Sequence, residues 1–174
     1  MLPGTPAPAL ELETLDHGGF DLASDAPANG TVLVFYRGLH CPICMRQLKE
    51  VDGLLDQFAA LETRVIAVSS DDAARTVGTK EKSGVKNLIL GHSMSLEAAR
   101  SDWGLYLSAG RPETAEPPLF HEPGLFWVKG DGSFYFASIQ TMPFVRSPTA
   151  GLLAGIKYVT ENNYPVRGNY TGPV

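Results

Sequence analysis

The stretch FYRGLHCPIC, residues 35–44, decides the fold of this 174-residue chain. The apolar residues 31–36 that lead into it are β-branched and aromatic, which is typical of a central strand buried on both faces. Over residues 41–61 the apolar side chains recur every three or four positions, which predicts a helix. The only two cysteines of the chain, Cys41 and Cys44, therefore lie where a buried strand turns into a helix.

The spacing of the two cysteines predicts redox chemistry. Residues three apart share one helix face, and a Cα separation of about 5 Å permits a disulfide. Cys41 is at the helix N-terminus, where unpaired amides and the helix dipole favour a thiolate, which is the nucleophilic form. Pro42 suits the first helical turn because its missing N–H is no loss there. Cys44 lies one turn further in and is better placed to resolve than to attack.

The remaining segments alternate between predicted strands and helices. The pattern predicts a short strand at 10–14, strands at 64–69 and 87–90, helices at 72–84, 95–104 and 147–159, a loop at 108–123, and a hairpin of 125–128 with 134–137 turning at 130–132. Asp71 or Asp72 can cap the helix that ends near Gly84. Alternating units give a parallel sheet, to which the hairpin adds an antiparallel edge. We predict an α/β protein, a single thioredoxin-like domain over 1–174 with a central mixed sheet flanked by helices, an N-terminal extension and an extended tail at 161–174.

Composition excludes several classes of function. The net charge of −5 argues against a nucleic-acid or anionic-membrane partner, although a local basic pocket around one or two arginines remains compatible with it. No apolar run is long enough to span a bilayer, and the N-terminus does not read as a signal peptide. We therefore predict a cytoplasmic protein, and in that compartment a cysteine pair serves redox chemistry or a metal rather than a permanent disulfide.

Several alternatives to a redox pair remain open at this point. Both cysteines could be inert core residues, form a lone surface disulfide, or supply half of a zinc site that two of His40, His92 and His121 would complete. Residues 91–95 also partly match a serine nucleophile elbow, but a serine replaces its closing glycine. Helix capping by Ser93 or Ser95 explains the same residues.

The residues around Cys41 resemble a known family. Residues 35–44 look like the active-site segment of peroxiredoxin-like proteins of the alkyl hydroperoxide reductase/thiol-specific antioxidant family. Residues 3–8 and 65–71 resemble that family's entry segment and the strand after its active-site helix. The resemblance implies that Cys41, followed by Pro42, takes the peroxidatic position. It also implies that Arg146, just before the last helix, faces the Cys41 thiolate.

Further residues are candidates for the substrate site. The resemblance implies a cis proline at Pro123 that faces the reactive cysteine. Arg37 and His40 are close to Cys41 in sequence, and each could stabilise or tune its thiolate. The family usually carries Thr or Ser three positions before the cysteine, where this chain has Gly38. It also usually carries proline seven positions before, where this chain has Val34.

The resemblance implies a thiol-dependent enzyme that needs no metal and no organic cofactor. Attack of Cys41 on a peroxide gives a sulfenic acid that Cys44 can convert to a disulfide, and attack on a disulfide gives a mixed disulfide that Cys44 resolves. A thiol reductant such as thioredoxin or glutathione would restore the dithiol, and a homodimer is left open. The alternatives are a thioredoxin-like disulfide reductase and a non-enzymatic redox-sensing module.

Overall fold

The computed structural model describes residues 1–24 and 26–174. Its centre is a sheet of seven strands: β1 (Glu11–Thr14), β2 (Gly18–Asp21), β3 (Thr31–Phe35), β4 (Arg64–Val68), β5 (Ile89–Gly91), β8 (Gly124–Val128) and β9 (Phe134–Ile139). The strand order is β2-β1-β5-β4-β3-β8-β9, with β3, β4 and β5 parallel and the other pairings antiparallel. Strands β6 (Leu107–Ala109) and β7 (Leu119–His121) form a separate antiparallel pair.

Five helices flank the sheet: α1 (Pro42–Asp52), α2 (Leu55–Ala60), α3 (Ala73–Ser83), α4 (Leu96–Ser101) and α5 (Thr149–Asn162). In the part of the chain that the structure describes, no helix is both long enough and apolar enough to cross a membrane. The mixed sheet with helices around it confirms the predicted α/β class.

The central strand β3 divides the core into two layers. Val32 and Val34 pack into one layer with α1 and α5, whereas Leu33 and Phe35 pack into the other layer with Trp103. Successive side chains of a strand point to opposite faces, so a strand that is apolar throughout must be covered on both sides. This packing fixes the carboxyl end of β3, where the chain enters α1.

The predicted helix at 41–61 is wrong in one respect, because the structure divides it into α1 and α2 at Gly53. The carboxylate of Asp52 accepts hydrogen bonds from the backbone amides of residues 86–88. These three hydrogen bonds hold the last turn of α1 against the loop before β5, at the point where the chain leaves the helix. The apolar spacing continues through the break, so periodicity alone does not reveal it.

Two other boundaries also differ from the prediction. The predicted loop at 108–123 contains β7 and part of β6, and strand β2 was not predicted at all. Strands of three or four residues are too short to show an alternating pattern. Helix α5 extends to Asn162, past position 161, where the tail is predicted to begin, and residues 163–174 have no regular secondary structure. The Tyr135 hydroxyl donates to two backbone carbonyls of the tail, at 3.2 Å each, which holds the tail against β9.

Candidate active site

The two cysteines occupy different positions in the first turn of α1. Cys41 is the N-cap residue, with extended backbone angles, and its sulfur accepts a hydrogen bond from the Cys44 amide at 3.3 Å. Its own amide donates to the Gly38 carbonyl at 3.1 Å. Cys41 is 2% exposed, and Cys44, one turn further in, is completely buried. Both are free thiols, so a Cys41–Cys44 disulfide stays a prediction.

Arg146 lies against both sulfurs although it is about a hundred residues away in sequence. Its Nη2 donates to the Cys44 sulfur at 3.2 Å and to the Cys41 sulfur at 3.7 Å. Two further bonds orient the guanidinium, one from Nε to the Pro143 carbonyl at 2.9 Å and one from Nη1 to the Gln47 side chain at 3.4 Å. The loop between β9 and α5 thus carries a fixed positive charge to the α1 N-terminus.

The surroundings shift the pKa values of the two thiols in opposite directions. Hydrogen bonds from the Cys44 thiol and amide, with the charges of Arg146 and Arg37, outweigh burial and lower the pKa of Cys41 to about 6. Burial raises the pKa of Cys44, and the hydrogen bond and charge of Cys41 raise it further. Because a thiolate is the reactive form, the site favours Cys41 as the nucleophile and keeps Cys44 protonated.

Gly38 has a conformation that a side chain does not fit. Its φ of +125° lies in the region that favours glycine, and a Cβ built there would be 2.5 Å from the Asp71 carboxylate. Asp71 is held in place because it accepts the Leu39 amide at 2.8 Å and the Arg75 side chain at 2.7 Å. A carboxylate therefore lies where a threonine or serine hydroxyl would have to fit.

Arg37 belongs to a compact ionic cluster near Cys41. Its guanidinium is 3.5 Å from the Glu116 carboxylate and 3.4 Å from the Glu122 carboxylate, and it lies 4.5 Å from the centre of the Phe120 ring. Arg111 also bonds Glu116, and these bonds lower the pKa of Glu116 to about 2. The cluster ties the β6–β7 segment to the end of β3.

The His40 side chain lines the site as an uncharged ring. Its ring packs on Phe120, with ring centres 4.6 Å apart. Burial, together with the nearby charge of Arg37, lowers the pKa of His40 to about 4. At neutral pH the ring is therefore uncharged, and it does not stabilise the Cys41 thiolate as a cation would.

A cleft of about 340 Å³ opens beside Cys41. Four of the predicted site residues line it, together with five others: Arg37, His40, Cys41 and Pro42, then Ile43, Arg111, Glu116, Pro143 and Phe144. The prediction of a cis bond at Pro123 is wrong, because every peptide bond of the described residues is trans. Pro123 is buried directly before β8, and its carbonyl accepts a hydrogen bond from the Gln140 amide at 3.0 Å. Pro143, and not Pro123, is the proline that lines the cleft together with Pro42 and Cys41.

Three further residues, which the sequence did not mark as part of the site, shape it. Gln47 follows Cys44 by three positions, so helical spacing could have placed it on the same face of α1. Asp71 was considered only as a helix cap, but Asp72 caps α3 and Asp71 turns inward. Glu116 carries no signal in sequence because the loop that positions it has no periodic pattern.

The arrangement offers thiol chemistry rather than an obvious metal centre. Among the described residues, no group of three or more His, Cys, Asp or Glu side chains is arranged to hold a metal ion. His121, one of the histidines considered for zinc, is completely buried, and its Nδ1 lies 3.1 Å from a backbone carbonyl. A thiol at a helix N-terminus, a second thiol in the same turn and a guanidinium beside both are typical of thiol chemistry on a thioredoxin-like fold.

Comparison with known proteins identifies the family within that class. A sequence model of the AhpC/TSA family matches residues 3–115, more than half of the chain. The chain therefore belongs to the AhpC/TSA family, as its resemblance to peroxiredoxins predicted. Family and fold together indicate a thiol peroxidase or oxidoreductase. No match was found among curated proteins.

Solved structures confirm the thioredoxin-like fold. A mutant of peroxiredoxin 6 from Arenicola marina superposes with a TM-score of 0.76 at 16% identity, over 94% of this chain and 75% of that chain. The reduced 2-Cys peroxiredoxin of Plasmodium vivax gives 0.76 at 16% identity, over 94% and 84%. Peroxidoxin BcpB from Mycobacterium tuberculosis gives 0.69 at 17% identity, over 91% and 98%.

Proposed function

We propose that this protein is a thiol-dependent oxidoreductase in which Cys41 is the nucleophile and Cys44 the resolving thiol. The observation that carries the proposal is the position of Arg146, whose Nη2 lies 3.7 Å from one sulfur and 3.2 Å from the other. One guanidinium beside two thiols at a helix N-terminus supports a pair that acts in sequence.

The first step is attack by the Cys41 thiolate. On a hydroperoxide, the sulfur bonds the terminal oxygen, the O–O bond breaks, and the leaving alkoxide or hydroxide takes up a proton; Cys41 becomes a sulfenic acid. On a disulfide, the sulfur forms a mixed disulfide and releases one thiolate. Arg146 stabilises the starting thiolate and the charge that develops as the bond breaks.

The second step forms the Cys41–Cys44 disulfide. The Cys44 sulfur attacks the oxidised Cys41 and displaces water from a sulfenic acid, or the substrate thiol from a mixed disulfide. Once Cys41 is no longer an anion, it stops opposing ionisation of Cys44, and Arg146 is the cation closest to the Cys44 sulfur. Arg146 therefore supports both steps, and a thiol reductant must then restore the dithiol.

Gly38 favours disulfide substrates as a second candidate. A side-chain hydroxyl at this position would help to orient a peroxide, and the Asp71 carboxylate excludes one. Losing one oriented hydrogen bond to a charged transition state costs about 1.5–3 kcal/mol, or about one to two decades in rate. Thiol–disulfide exchange needs only a thiolate, an accessible sulfur and a resolving thiol.

The experiment compares second-order rates of Cys41 oxidation by hydrogen peroxide, an alkyl hydroperoxide and a small disulfide at one pH. We expect the disulfide to react faster than hydrogen peroxide. A much faster peroxide reaction would make peroxide the preferred oxidant, and no reaction with any of the three would refute the oxidoreductase proposal. A single oxidation that reductants do not reverse would instead support a redox sensor.

Cytoplasmic location and a homodimer stay predictions.

A further inference from the structure

We propose that the cleft beside Cys41 is the binding site for a small thiol that carries a carboxylate, and that this thiol reduces the Cys41–Cys44 disulfide. The inference rests on the proposed function and names the class of its reductant. Three observations carry it: access to the two sulfurs, the size of the cleft, and the charges at its rim.

Access favours a small molecule. Cys41 is 2% exposed and Cys44 is completely buried. The first turn of α1, the β6–β7 segment and residues 143–144 enclose Cys41, so a thiol on another protein would need these elements to move apart. A cleft of about 340 Å³ has Cys41 in its lining, and this volume lies within the range typical of small-molecule sites. It is much larger than hydrogen peroxide requires.

The charges of the cleft favour an anion. The whole chain carries −5, yet the cleft is lined by two arginines, Arg37 and Arg111, and by one carboxylate, Glu116. The low pKa of His40 makes that ring neutral, and Cys41 has no charge while it is in the disulfide, so the lining of the oxidised protein carries a net charge of +1. Bonds from Glu116 hold both guanidinium groups in position.

Arg111 is the group that would meet the carboxylate of the ligand. Its Nε and Nη2 bond Glu116, while its side chain remains 75% exposed. A guanidinium has five N–H donors, so Arg111 retains donors that can face the cleft. Arg37 is only 13% exposed, and its guanidinium already pairs with two glutamates. Ile43, Pro143 and Phe144 add apolar lining for the carbon chain of the ligand.

The reduction balances with two thiols. The first thiolate attacks the Cys41 sulfur, the S–S bond breaks, and Cys44 leaves as a thiolate beside Arg146 and takes up a proton. A second thiolate attacks the sulfur of the bound small thiol, which releases Cys41 as its thiolate and the small disulfide as product. The protein gains two electrons and the two thiols lose them.

The test starts from protein whose Cys41–Cys44 disulfide has been verified by mass spectrometry, so that failure to form the disulfide counts against the proposed function alone. Reduction rates are then measured with glutathione, 2-mercaptoethanol, cysteamine and a reduced thioredoxin, and each rate is corrected to the concentration of thiolate. We expect glutathione to be faster than the neutral and cationic small thiols by about three- to tenfold, and to lose this advantage in high salt.

Variants at the rim give the sharpest test. Arg111→Gln should slow reduction by glutathione about three- to tenfold and leave 2-mercaptoethanol unchanged, while Glu116→Gln should increase the glutathione rate. Arg100→Gln, which removes an exposed arginine at the end of α4, is the matched control and should change neither rate. Equal rates for all the small thiols with no effect of Arg111→Gln would overturn the proposal, as would a thioredoxin that reacts more than about a hundredfold faster than glutathione.

Discussion

Cys41 and Cys44 are one helical turn apart and have the same side chain, yet their environments differ. Cys41 caps the helix, adjoins a cleft and receives hydrogen bonds from the Cys44 amide and thiol, and its pKa falls to about 6. Cys44 lies inside the helix in the apolar core, and burial raises its pKa. Position within a single turn therefore gives two identical residues different chemistry.

The difference also shows how the two sulfurs depend on one another. The Cys44 thiol can donate to the Cys41 sulfur only while it keeps its proton, and the resulting Cys41 anion holds that proton on Cys44. Arg146 contacts both atoms and is the shared element. Perturbing either cysteine, their common arginine or the loop before Cys41 should therefore affect the pair unequally.

The largest expected effect separates the roles of the cysteines. Cys41→Ser should lower turnover by about a thousandfold or more, because a hydroxyl does not supply a thiolate at neutral pH. Cys44→Ser should retain the first oxidation step within about tenfold but form no intramolecular disulfide. Rapid-reaction kinetics and mass spectrometry of the trapped sulfenic acid or mixed disulfide would measure both effects. Loss of the first step in Cys44→Ser would reverse the assignment of the roles.

The second effect is the difference in reactivity of the two thiols at neutral pH. With a pKa of about 6, Cys41 is mostly thiolate at pH 7, whereas the raised pKa of Cys44 leaves well under about one per cent ionised. We expect Cys41 to alkylate at least about a hundredfold faster, with a rate that rises as the pH increases through about 6. Peptide mapping of the reduced protein after iodoacetamide treatment would measure both sites. Similar rates would contradict the opposite pKa shifts.

Arg146 should have the next largest effect. Arg146→Gln keeps a polar side chain but removes the charge, so the pKa of Cys41 should rise and its oxidation should slow by about ten- to a hundredfold. Arg146→Lys should recover part of the rate. Ultraviolet absorbance of the thiolate against pH, together with the oxidation rate, would separate a change in pKa from a general loss of structure.

Arg46→Gln is the control for Arg146, because Arg46 is an exposed cation on α1, the helix whose first turn holds the two cysteines. Its removal should leave both the pKa and the rate nearly unchanged. Equal effects of the two substitutions would mean that Arg146 acts only as a general surface charge.

The sequence predicts the elements built from long periodic segments and misses those that depend on tertiary contacts. The run of residues 31–36 and the helical spacing after it suffice to position Cys41 at a helix N-terminus, and the family resemblance suggested that Arg146 would be near it. The break at Gly53 and the ionic cluster of Arg37 with Glu116 depend on groups from distant segments. A hydrogen bond between segments leaves no periodic signal in either one.

Gly38 shows the same limit at a single residue. The sequence reveals that a hydroxyl is missing from this position but gives no reason for its absence. The structure supplies two reasons, a φ of +125° and a carboxylate 2.5 Å from where a Cβ would be. The carboxylate belongs to Asp71, a residue that the sequence suggested only as a helix cap.

The smallest expected effect on reactivity concerns this glycine, because its substitution acts mainly on stability. Gly38→Ala should lower the free energy of unfolding by about 2–4 kcal/mol, because alanine adds backbone strain at a positive φ and a close contact with Asp71. Gly84→Ala is the control: its φ is +70°, but a Cβ there meets no atom within 4 Å, so it should cost only about 1 kcal/mol. Urea denaturation of the reduced proteins would measure both losses.

Because the Gly38 carbonyl accepts a hydrogen bond from the Cys41 amide, Gly38→Ala should also slow alkylation of Cys41, whereas Gly84→Ala should not. Equal losses of stability in the two variants would mean that the Asp71 contact relaxes without cost and that a hydroxyl-bearing residue could fit at position 38.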